Sequence, residues 1–232
     1  MSIKVIYDNR RENELMQEGW GFSCLIDLGH RKILFDTGAN QEAFFSNLQK
    51  LNIQWNEITD VVFSHKHADH VAGFLEVLGK LKEGTRLFLP KGFPCKGLPP
   101  HVQTEIVADF AEIGPQVYSL VLKGGFFLYE QALIVQTEKG LVVITGCAHP
   151  GIVNLLEAAK DRLGKPIYLV LGGFHLFRKS RQSVTKIIDK LKSMEVDRVA
   201  PCHCSGDAAI AQFQEAYRDH FCKIGTGTVL TL

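Results

Sequence analysis

The sequence lacks any apolar run long enough to cross a membrane, and it lacks an excess of charge of either sign. Its 232 residues are 46% hydrophobic and carry a formal net charge of +1. A membrane-spanning helix needs about 20 consecutive apolar residues, and proteins that bind nucleic acid or an anionic membrane are usually basic. We therefore expect no nucleic acid and no membrane among its partners. Residues 1–8 have too few apolar side chains for a secretory signal, so we expect a cytoplasmic protein.

The sequence also lacks a linker, because no Pro-, Gly- or Ser-rich tract, low-complexity segment or charge run divides it. We therefore predict one domain over residues 1–232, which is long enough to bury a large core. A chain of this size does not need disulfides, so most of its six cysteines are predicted to be free thiols in a reducing compartment. Cys202 and Cys204 flank His203. On a strand both thiols would point the same way, either toward a site or into the core.

What is present is an alternation of strand and helix patterns in both halves of the chain. Mixed strands with interspersed helices predict an α/β (α+β) fold in which helices cover sheets. A segment rich in proline and glycine, residues 91–100, is predicted to be a long loop. The predicted strands are 22–28, 32–35, 61–64, 86–89, 117–122, 126–129, 132–137, 141–145, 167–171 and 196–200, and the predicted helices are 41–51, 71–81, 152–163, 184–191 and 210–221.

The most informative segment directly follows the predicted strand 61–64. It places His65, His67, Asp69 and His70 within six consecutive residues. Imidazole nitrogen suits zinc, iron, nickel and copper, and a carboxylate adds an oxygen ligand. Polar groups beside a buried strand are costly unless something satisfies them. The segment therefore predicts a metal site, and the alternative is a polar surface turn that happens to be rich in histidine.

Three further histidines follow apolar strands, at His149, His175 and His203. A metal held by the cluster needs ligands from elsewhere in the chain to complete its shell. His149 and His203 are therefore predicted to bind metal, whereas alone each would equally suit a hydrogen-bonded structural role. His175 is predicted to bind metal, to bind substrate or to transfer a proton near neutral pH. The remaining histidines, at positions 30, 101 and 220, are predicted to be ordinary surface or packing residues.

These motifs resemble the metallo-β-lactamase-fold superfamily. The resemblance rests on Asp-Thr-Gly at 36–38, His-x-His-x-Asp-His at 65–70 and Pro-Cys-His at 201–203. The segments 145–151 and 172–176 are similar to one branch, which includes archaeal methanopterin-pathway synthases of a dihydropterin–ribofuranosylaminobenzene phosphate and bacterial metal-dependent hydrolases. The resemblance covers nearly the whole chain and implies an αββα sandwich, with two mixed β-sheets flanked by helices.

The resemblance also implies a ligand set for one or two divalent metal ions, with zinc as the first expectation and iron, manganese or nickel as alternatives. One ion would be held by His65, His67 and His149, and the other by Asp69, His70 and His203. Asp36 would orient the ligands from outside the coordination sphere, as hydrogen-bonded carboxylates commonly do.

One feature departs from the family pattern. Most of the superfamily places a histidine between the cluster and the middle strand, and then a bridging aspartate in a Gly-Asp turn. Here residues 102–144 contain no histidine, and the turn reads Gly146-Cys147. The Cys147 thiolate could coordinate a soft or borderline metal, or the side chain could pack. Without the bridging carboxylate, a weak or empty second metal site is expected.

The resemblance implies a hydrolase or transferase that uses a metal-activated water or hydroxide on an ester, phosphoester or pterin-like diphosphate. Asp69 is predicted to double as a base or to orient that water. The substrate is expected to be a small molecule, and an anionic one if Arg178, Lys179 and Arg181 face the site rather than solvent.

Three other kinds of protein could carry a similar set of residues. A di-iron-type redox protein of the same fold needs a bridging carboxylate and a flavin domain, and this sequence shows neither. A non-catalytic metal-binding scaffold usually loses residues of the histidine cluster, which is intact here. A structural zinc site usually closes with four ligands that are rich in cysteine.

Overall fold

The computed structural model describes all of residues 1–232, and the chain folds into two compact units. Unit 1 comprises Met1–Val107 and Ile224–Leu232, and unit 2 comprises Ala108–Lys223. Each unit contains one mixed β-sheet flanked by helices. The predicted fold class, two mixed sheets with helices, is therefore confirmed, whereas a single domain over the full length stays a prediction.

Unit 1 is built on a seven-stranded sheet in the order β13-β1-β2-β3-β4-β5-β6. Strands β3 to β6 run parallel, and β1, β2 and β13 pair antiparallel. Its elements are β1 Ser2–Tyr7, β2 Ser23–Asp27, β3 Lys32–Phe35, α1 Gln41–Lys50, β4 Asp60–Val62, α2 Phe74–Lys80, β5 Arg86–Pro90, β6 Gln103–Val107 and β13 Val229–Thr231.

The helices of unit 1 bury the apolar residues that their spacing predicts. In α1, Phe44 and Leu48 lie one helical turn apart and pack with Val77 and Leu78 of α2 against the sheet. Helix α1 begins after Asn40, whose side-chain oxygen accepts a hydrogen bond from the third residue that follows it. Both helices thus cover a sheet whose strands are apolar on the face beneath them.

Unit 2 is built on a six-stranded sheet in the order β12-β11-β10-β9-β8-β7. Strands β10, β11 and β12 are parallel neighbours, and β7 to β10 pair antiparallel. Helices α3, α4 and α5 pack on this sheet around a core of their own. Its elements are β7 Phe110–Gly114, β8 Val117–Gly125, β9 Leu128–Thr137, β10 Gly140–Thr145, α3 Ile152–Leu163, β11 Ile167–Gly173, α4 Arg181–Ser193, β12 Arg198–Cys202 and α5 Asp207–Tyr217.

Most predicted elements are found within a few residues of their expected bounds, and 32–35 and 152–163 match fully. One division was wrong: the strands predicted at 126–129 and 132–137 are a single strand, β9, because Phe126 and Phe127 form the turn before it. Phe127 adopts a left-handed backbone with φ 56°, which lets the chain reverse there. Four strands, β1, β6, β7 and β13, were not predicted.

No helix has both the length and the apolar character that crossing a membrane requires. All six cysteines are thiols. The segment 91–100 contains no helix or strand, as predicted.

Candidate functional site

The histidine cluster of unit 1 lies directly beyond β4, next to the residue that ends β3. Because β3 and β4 are parallel neighbours, their carboxyl ends lie at the same edge of the sheet. Asp36 follows β3 in a left-handed conformation, with φ 55°, and its side chain is fully buried. Such a backbone costs about 1–3 kcal/mol in a residue other than glycine, so the surrounding contacts must hold it in place.

Asp36 binds three donors from the cluster segment. Its Oδ1 accepts from the backbone N–H of Ser64 at 2.7 Å, and its Oδ2 accepts from Ser64 Oγ at 2.6 Å and His70 Nδ1 at 2.7 Å. The proton on Nδ1 of His70 therefore belongs to this hydrogen bond. In a neutral imidazole the lone pair for a metal is then on Nε2.

The hydrogen bonds of Ser64 likewise determine which nitrogen of His65 carries the proton. Ser64 Oγ gives its single proton to Asp36, and it lies 2.9 Å from His65 Nδ1. His65 must therefore donate from Nδ1, so its lone pair is on Nε2. That Nε2 lies 3.0 Å from Nδ1 of His67. Two nitrogens bound tetrahedrally at about 2.0–2.1 Å from one zinc ion are separated by about 3.3 Å, so this spacing suits two ligands of one ion.

Asp69 completes the cluster at its more exposed side. Its Oδ2 lies 3.8 Å from Nε2 of His70 and accepts a hydrogen bond of 2.9 Å from the indole Nε1 of Trp20. An oxygen and an imidazole nitrogen at this separation are close enough to share a second ion. Within unit 1, the structure therefore brings together His65, His67, Asp69 and His70.

In unit 2 the corresponding organiser is Glu130, a buried carboxylate on β9. Its Oε1 accepts from the backbone N–H groups of Cys147 and Ala148, both at 2.7 Å. Its Oε2 accepts from the backbone N–H of His149 at 2.8 Å and from His149 Nδ1 at 2.7 Å. As with His70, the Nδ1 proton is engaged, and Nε2 of His149 is the nitrogen that a metal would use.

His203 lies directly beyond β12, at the start of a short 3-10 helix. Its Nε2 is 3.4 Å from the Cys147 sulfur, and the residue is buried with φ 48°. The idea that Cys202 and Cys204 point the same way from one strand was wrong, because β12 ends at Cys202 and Cys204 belongs to the 3-10 helix. Both thiols are buried.

His175 follows β11 and lies beside His149, with ring centroids 4.5 Å apart. A hydrogen bond with the Cys204 thiol is the main cause that raises the pKa of His175, against an opposing effect of burial. Both histidines line a cavity of about 380 Å³, which Lys179 and Asn154 also line. The cavity thus combines two imidazoles, an amide and a cation with apolar walls.

Of the three cations predicted near His175, only Lys179 lines this cavity. Arg178 stacks on the ring of Phe177, with 5.2 Å between its guanidinium carbon and the ring centroid. Arg181 lies 3.7 Å from Glu215, and both side chains are exposed. The predicted role of Arg178 and Arg181 toward an anion therefore has no contact of this cavity to support it.

The two glycines before His175 are required by close backbone approaches. A Cβ on Gly172 would lie 2.0 Å from the carbonyl oxygen of Thr145, and one on Gly173 would lie 2.4 Å from that of Gly146. Real Cβ atoms do not approach so closely, so any side chain here would push β10 and β11 apart. The Gly-Gly pair therefore sets the position from which His175 projects.

The structure places every predicted ligand at the end of a strand, four in unit 1 and His149 and His203 in unit 2. Two residues that support them, Glu130 and Trp20, were not predicted. Glu130 had one available signal, because it is an acidic residue within a strand that is otherwise buried and mostly apolar. Trp20 had none, since nothing in the sequence relates it to Asp69.

The model of the metallo-beta-lactamase superfamily matches residues 21–203. Two similar proteins come from Methanocaldococcus jannaschii. One is 7,8-dihydropterin-6-methyl-4-(beta-D-ribofuranosyl)-aminobenzene-5'-phosphate synthase, 25% identical, with 90% of this chain and 89% of the relative covered. The other is the uncharacterized protein MJ0448, 28% identical, with 92% and 94% covered.

A solved structure agrees with these relatives. Tm1679, described as a metal-dependent hydrolase of the beta-lactamase superfamily, is 29% identical and superposes with a TM-score of 0.84, covering 100% of this chain and 99% of that one. The family model covers more than half of the chain. The chain therefore belongs to the metallo-beta-lactamase superfamily.

Proposed function

We propose that the chain is a metal-dependent hydrolase or transferase that acts on an ester, a phosphoester or a pterin-like diphosphate. The observation that carries the proposal is the protonation pattern of its imidazoles. Hydrogen bonds engage Nδ1 of His65, His70 and His149, which directs the metal-binding lone pair to Nε2 in each ring. Oriented, neutral imidazoles with one nearby carboxylate are the donors that a catalytic zinc site uses.

The donor set therefore fits the metal that the family implies. His65 and His67 present nitrogens 3.0 Å apart, and His70 and Asp69 present a nitrogen and an oxygen 3.8 Å apart. The family resemblance assigns His149 to the first pair and His203 to the second, and that assignment is part of the proposal. When bound, a dication would act as a Lewis acid that activates water and polarises the substrate oxygen. Zinc is proposed first, because nitrogen donors outnumber oxygen donors.

The protein's own groups have separate tasks in this proposal. Asp69, held by the Trp20 indole at 2.9 Å, binds metal through its carboxylate and accepts a proton from the attacking water. His175, beside His149 in the cavity, contacts the substrate and returns a proton to the leaving group. Lys179 lines the same cavity and would pair with an anionic group of the substrate, a phosphate or a carboxylate.

A transferase activity is included because one relative, covered over most of its length, is named a synthase, whereas Tm1679 is described as a hydrolase. Both reaction classes need an activated oxygen nucleophile or a polarised acceptor oxygen. A panel containing carboxylic esters, phosphodiesters and a pterin diphosphate, assayed with and without an acceptor amine or alcohol, separates the two.

The central test combines metal analysis with turnover. Protein purified without added metal is expected to contain one or two equivalents of a transition metal, and a chelator is expected to abolish turnover of the active substrate. His67→Ala and Asp69→Ala are expected to lose both metal and turnover. His30→Ala is the matched control, because this exposed histidine lies in the turn between β2 and β3. Full activity of metal-free Asp69→Ala protein would end the proposal.

A further inference from the structure

The hairpin between β8 and β9 exposes two adjacent phenylalanines at its tip. Phe126 is 93% exposed and Phe127 is 81% exposed, more than any other large apolar side chain of the protein. The two rings meet edge-on, with centroids 5.6 Å apart. Large apolar side chains are usually buried, and where they are exposed together they commonly mark a binding surface. We call these two residues the aromatic tip.

Formation of the turn does not explain the two phenylalanines. Gly125 and Leu128 are the last paired residues of the hairpin, so Phe126 and Phe127 alone connect its strands. Turns of two residues favour glycine or asparagine, because they need positive φ angles. Phe127 has a φ of 56°, which is rare and strained for a bulky side chain. Neither burial nor the turn therefore accounts for phenylalanine at these positions.

The hairpin extends past the sheet edge at which His149 lies. The pairing of β9 with β10 ends at Leu133 and Ile144, and residues 128–132 of β9 lie beyond that pair. At about 3.3 Å per residue, this extension is about 16 Å long. Glu130 belongs to it and accepts hydrogen bonds from the backbone and the ring of His149. The extension is therefore anchored to the loop that follows β10.

Gly124 brings the other strand of the hairpin against the same loop. A Cβ on Gly124 would lie 2.6 Å from Cβ of His149 and 3.4 Å from Cδ of Pro150, so the contact leaves no room for a side chain. His149 and Pro150 both line the cavity of about 380 Å³. Phe126 is two residues beyond Gly124, which is about 7 Å along a strand. The aromatic tip is thus held beside this cavity.

We propose that the aromatic tip determines specificity by binding an aromatic group of the substrate. The inference rests on the proposed function, in which the reacting group lies in the cavity beside His149 and His175, and Lys179 pairs with an anionic group. The substrate would then carry an anion at one end and an apolar ring at the other. Rings attract one another edge-to-face or offset, with centroids about 4.5–7 Å apart, and the exposed rings of the tip are accessible for such contacts.

The surroundings of the tip favour a small molecule over a lipid surface or a second copy of the chain. Lys123 is the only charged residue in 122–129, whereas anionic lipid is usually bound by clusters of about 4–8 cations. Two phenylalanines bury about 150–250 Å² each, far below the roughly 1,200 Å² of a stable protein interface. The anchoring to the His149 loop also has no purpose in either alternative.

The test measures binding of two phosphonates to the zinc-loaded full chain by calorimetry. Methylphosphonate and 4-biphenylylphosphonate carry the same anionic group, and only the second adds rings. The wild type is expected to bind the biphenylyl compound about 10-fold more tightly. Phe126→Ala/Phe127→Ala should remove most of this preference while its affinity for methylphosphonate stays the same. Phe126→Tyr/Phe127→Tyr should restore the preference, because both rings are retained.

Two further variants separate binding from structure. Val229→Ala is the matched control, because Val229 is an exposed apolar residue on β13, in unit 1, and its preference should equal that of the wild type. Phe127→Asn suits the left-handed backbone better than phenylalanine does. We therefore expect its melting temperature to be at or above that of the wild type while its preference for the biphenylyl compound falls.

The outcomes distinguish this inference from the proposed function. If the wild type turns over no ester or phosphoester but shows the ring preference, and the double alanine variant loses it, the reaction is wrong and the aromatic tip stands. An equal preference in the wild type and the double alanine variant overturns the aromatic tip, as does a wild type that prefers neither phosphonate or binds neither. If the double variant keeps the preference but loses dimerisation, or loses binding to phosphatidylcholine–phosphatidylserine vesicles, the tip serves that partner and the inference is overturned.

Discussion

The two units orient their histidines by the same device but offer different donors. In unit 1, Asp36 binds a backbone N–H, a hydroxyl and the Nδ1 of His70. In unit 2, Glu130 binds three backbone N–H groups and the Nδ1 of His149. Each carboxylate lies on or directly after a strand next to the loop that it organises. A buried acid beside a strand end is thus the common support of both halves.

The donors themselves differ. The cluster of unit 1 contains imidazoles and one carboxylate, which are borderline and hard ligands, whereas the strand ends of unit 2 add two sulfurs to their histidines. Ligand softness selects among metals. The sulfurs of unit 2 would therefore favour a softer ion than the carboxylate of unit 1 would.

The largest effect is expected from removing the two organising carboxylates. Glu130→Ala leaves four donors without this acceptor, and Asp36→Ala leaves three, and each buried loss of a charged acceptor is costly. We expect the free energy of unfolding to fall by on the order of 3–5 kcal/mol for Glu130→Ala and 2–4 kcal/mol for Asp36→Ala. Urea denaturation of metal-stripped protein measures both, so that loss of metal does not contribute.

Glu130→Gln serves as the control for the first variant. It retains one acceptor oxygen for the backbone N–H groups but places an NH₂ group against the remaining donors, so an intermediate loss is expected. Equal stability of Glu130→Ala and the wild type would show that the two carboxylates are not comparable supports.

These carboxylates also show which residues of the candidate site could be predicted from the sequence and which could not. The cluster at 65–70 and the strand ends at 149, 175 and 203 could be predicted, because each joins a local motif to an apolar run that ends in a turn. Asp36 was reached only through the family motif. Glu130 lies 17 residues from Cys147 in sequence, and only the pairing of β9 with β10 brings the two strands together. Contacts of that kind depend on register, which a single sequence does not specify.

The unpredicted strands were missed for a related reason. β6 has exposed side chains at four of its five positions, so no apolar alternation marks it, and its pairing with β5 supplies the hydrogen bonds that make it a strand. β13 is three residues long and pairs only at the edge, with β1. The direction of the Cys204 thiol could not be predicted, because the chain turns at His203 through a left-handed backbone, a conformation that the sequence usually marks with glycine or asparagine.

A smaller effect is expected at the close approach within unit 2. Gly173→Ala would place a Cβ 2.4 Å from the carbonyl oxygen of Gly146 and 2.6 Å from the Cys204 sulfur. Because the first neighbour is backbone, β10 and β11 must separate, and a loss of about 1–3 kcal/mol in unfolding free energy is expected. A wild-type melting temperature would mean that this strand edge is more adaptable than the spacing indicates.

Trp20→Phe tests the support of the hard ligand in unit 1. It removes the indole donor to Asp69 Oδ2 while preserving an aromatic ring. We expect metal affinity to fall by about 10-fold, the lower end of what losing a ligand's hydrogen-bond partner costs, with the unfolding free energy changed by less than about 0.5 kcal/mol. Competition with a chromogenic chelator measures the affinity. Trp55→Phe is the control, since Trp55 packs on Phe45, and it should bind metal as the wild type does.

The smallest effect is expected at a glycine of unit 1 that no contact requires. Gly79 lies in α2, and a Cβ built there meets no atom within 4 Å. Alanine restricts the unfolded chain and favours helix, so Gly79→Ala should raise the unfolding free energy by about 0.5–1 kcal/mol. Thermal unfolding of the two variants measured side by side should show a higher melting temperature than the wild type for Gly79→Ala and a lower one for Gly173→Ala. If both variants are less stable than the wild type, the space around each Cβ does not explain the effect of replacing these glycines.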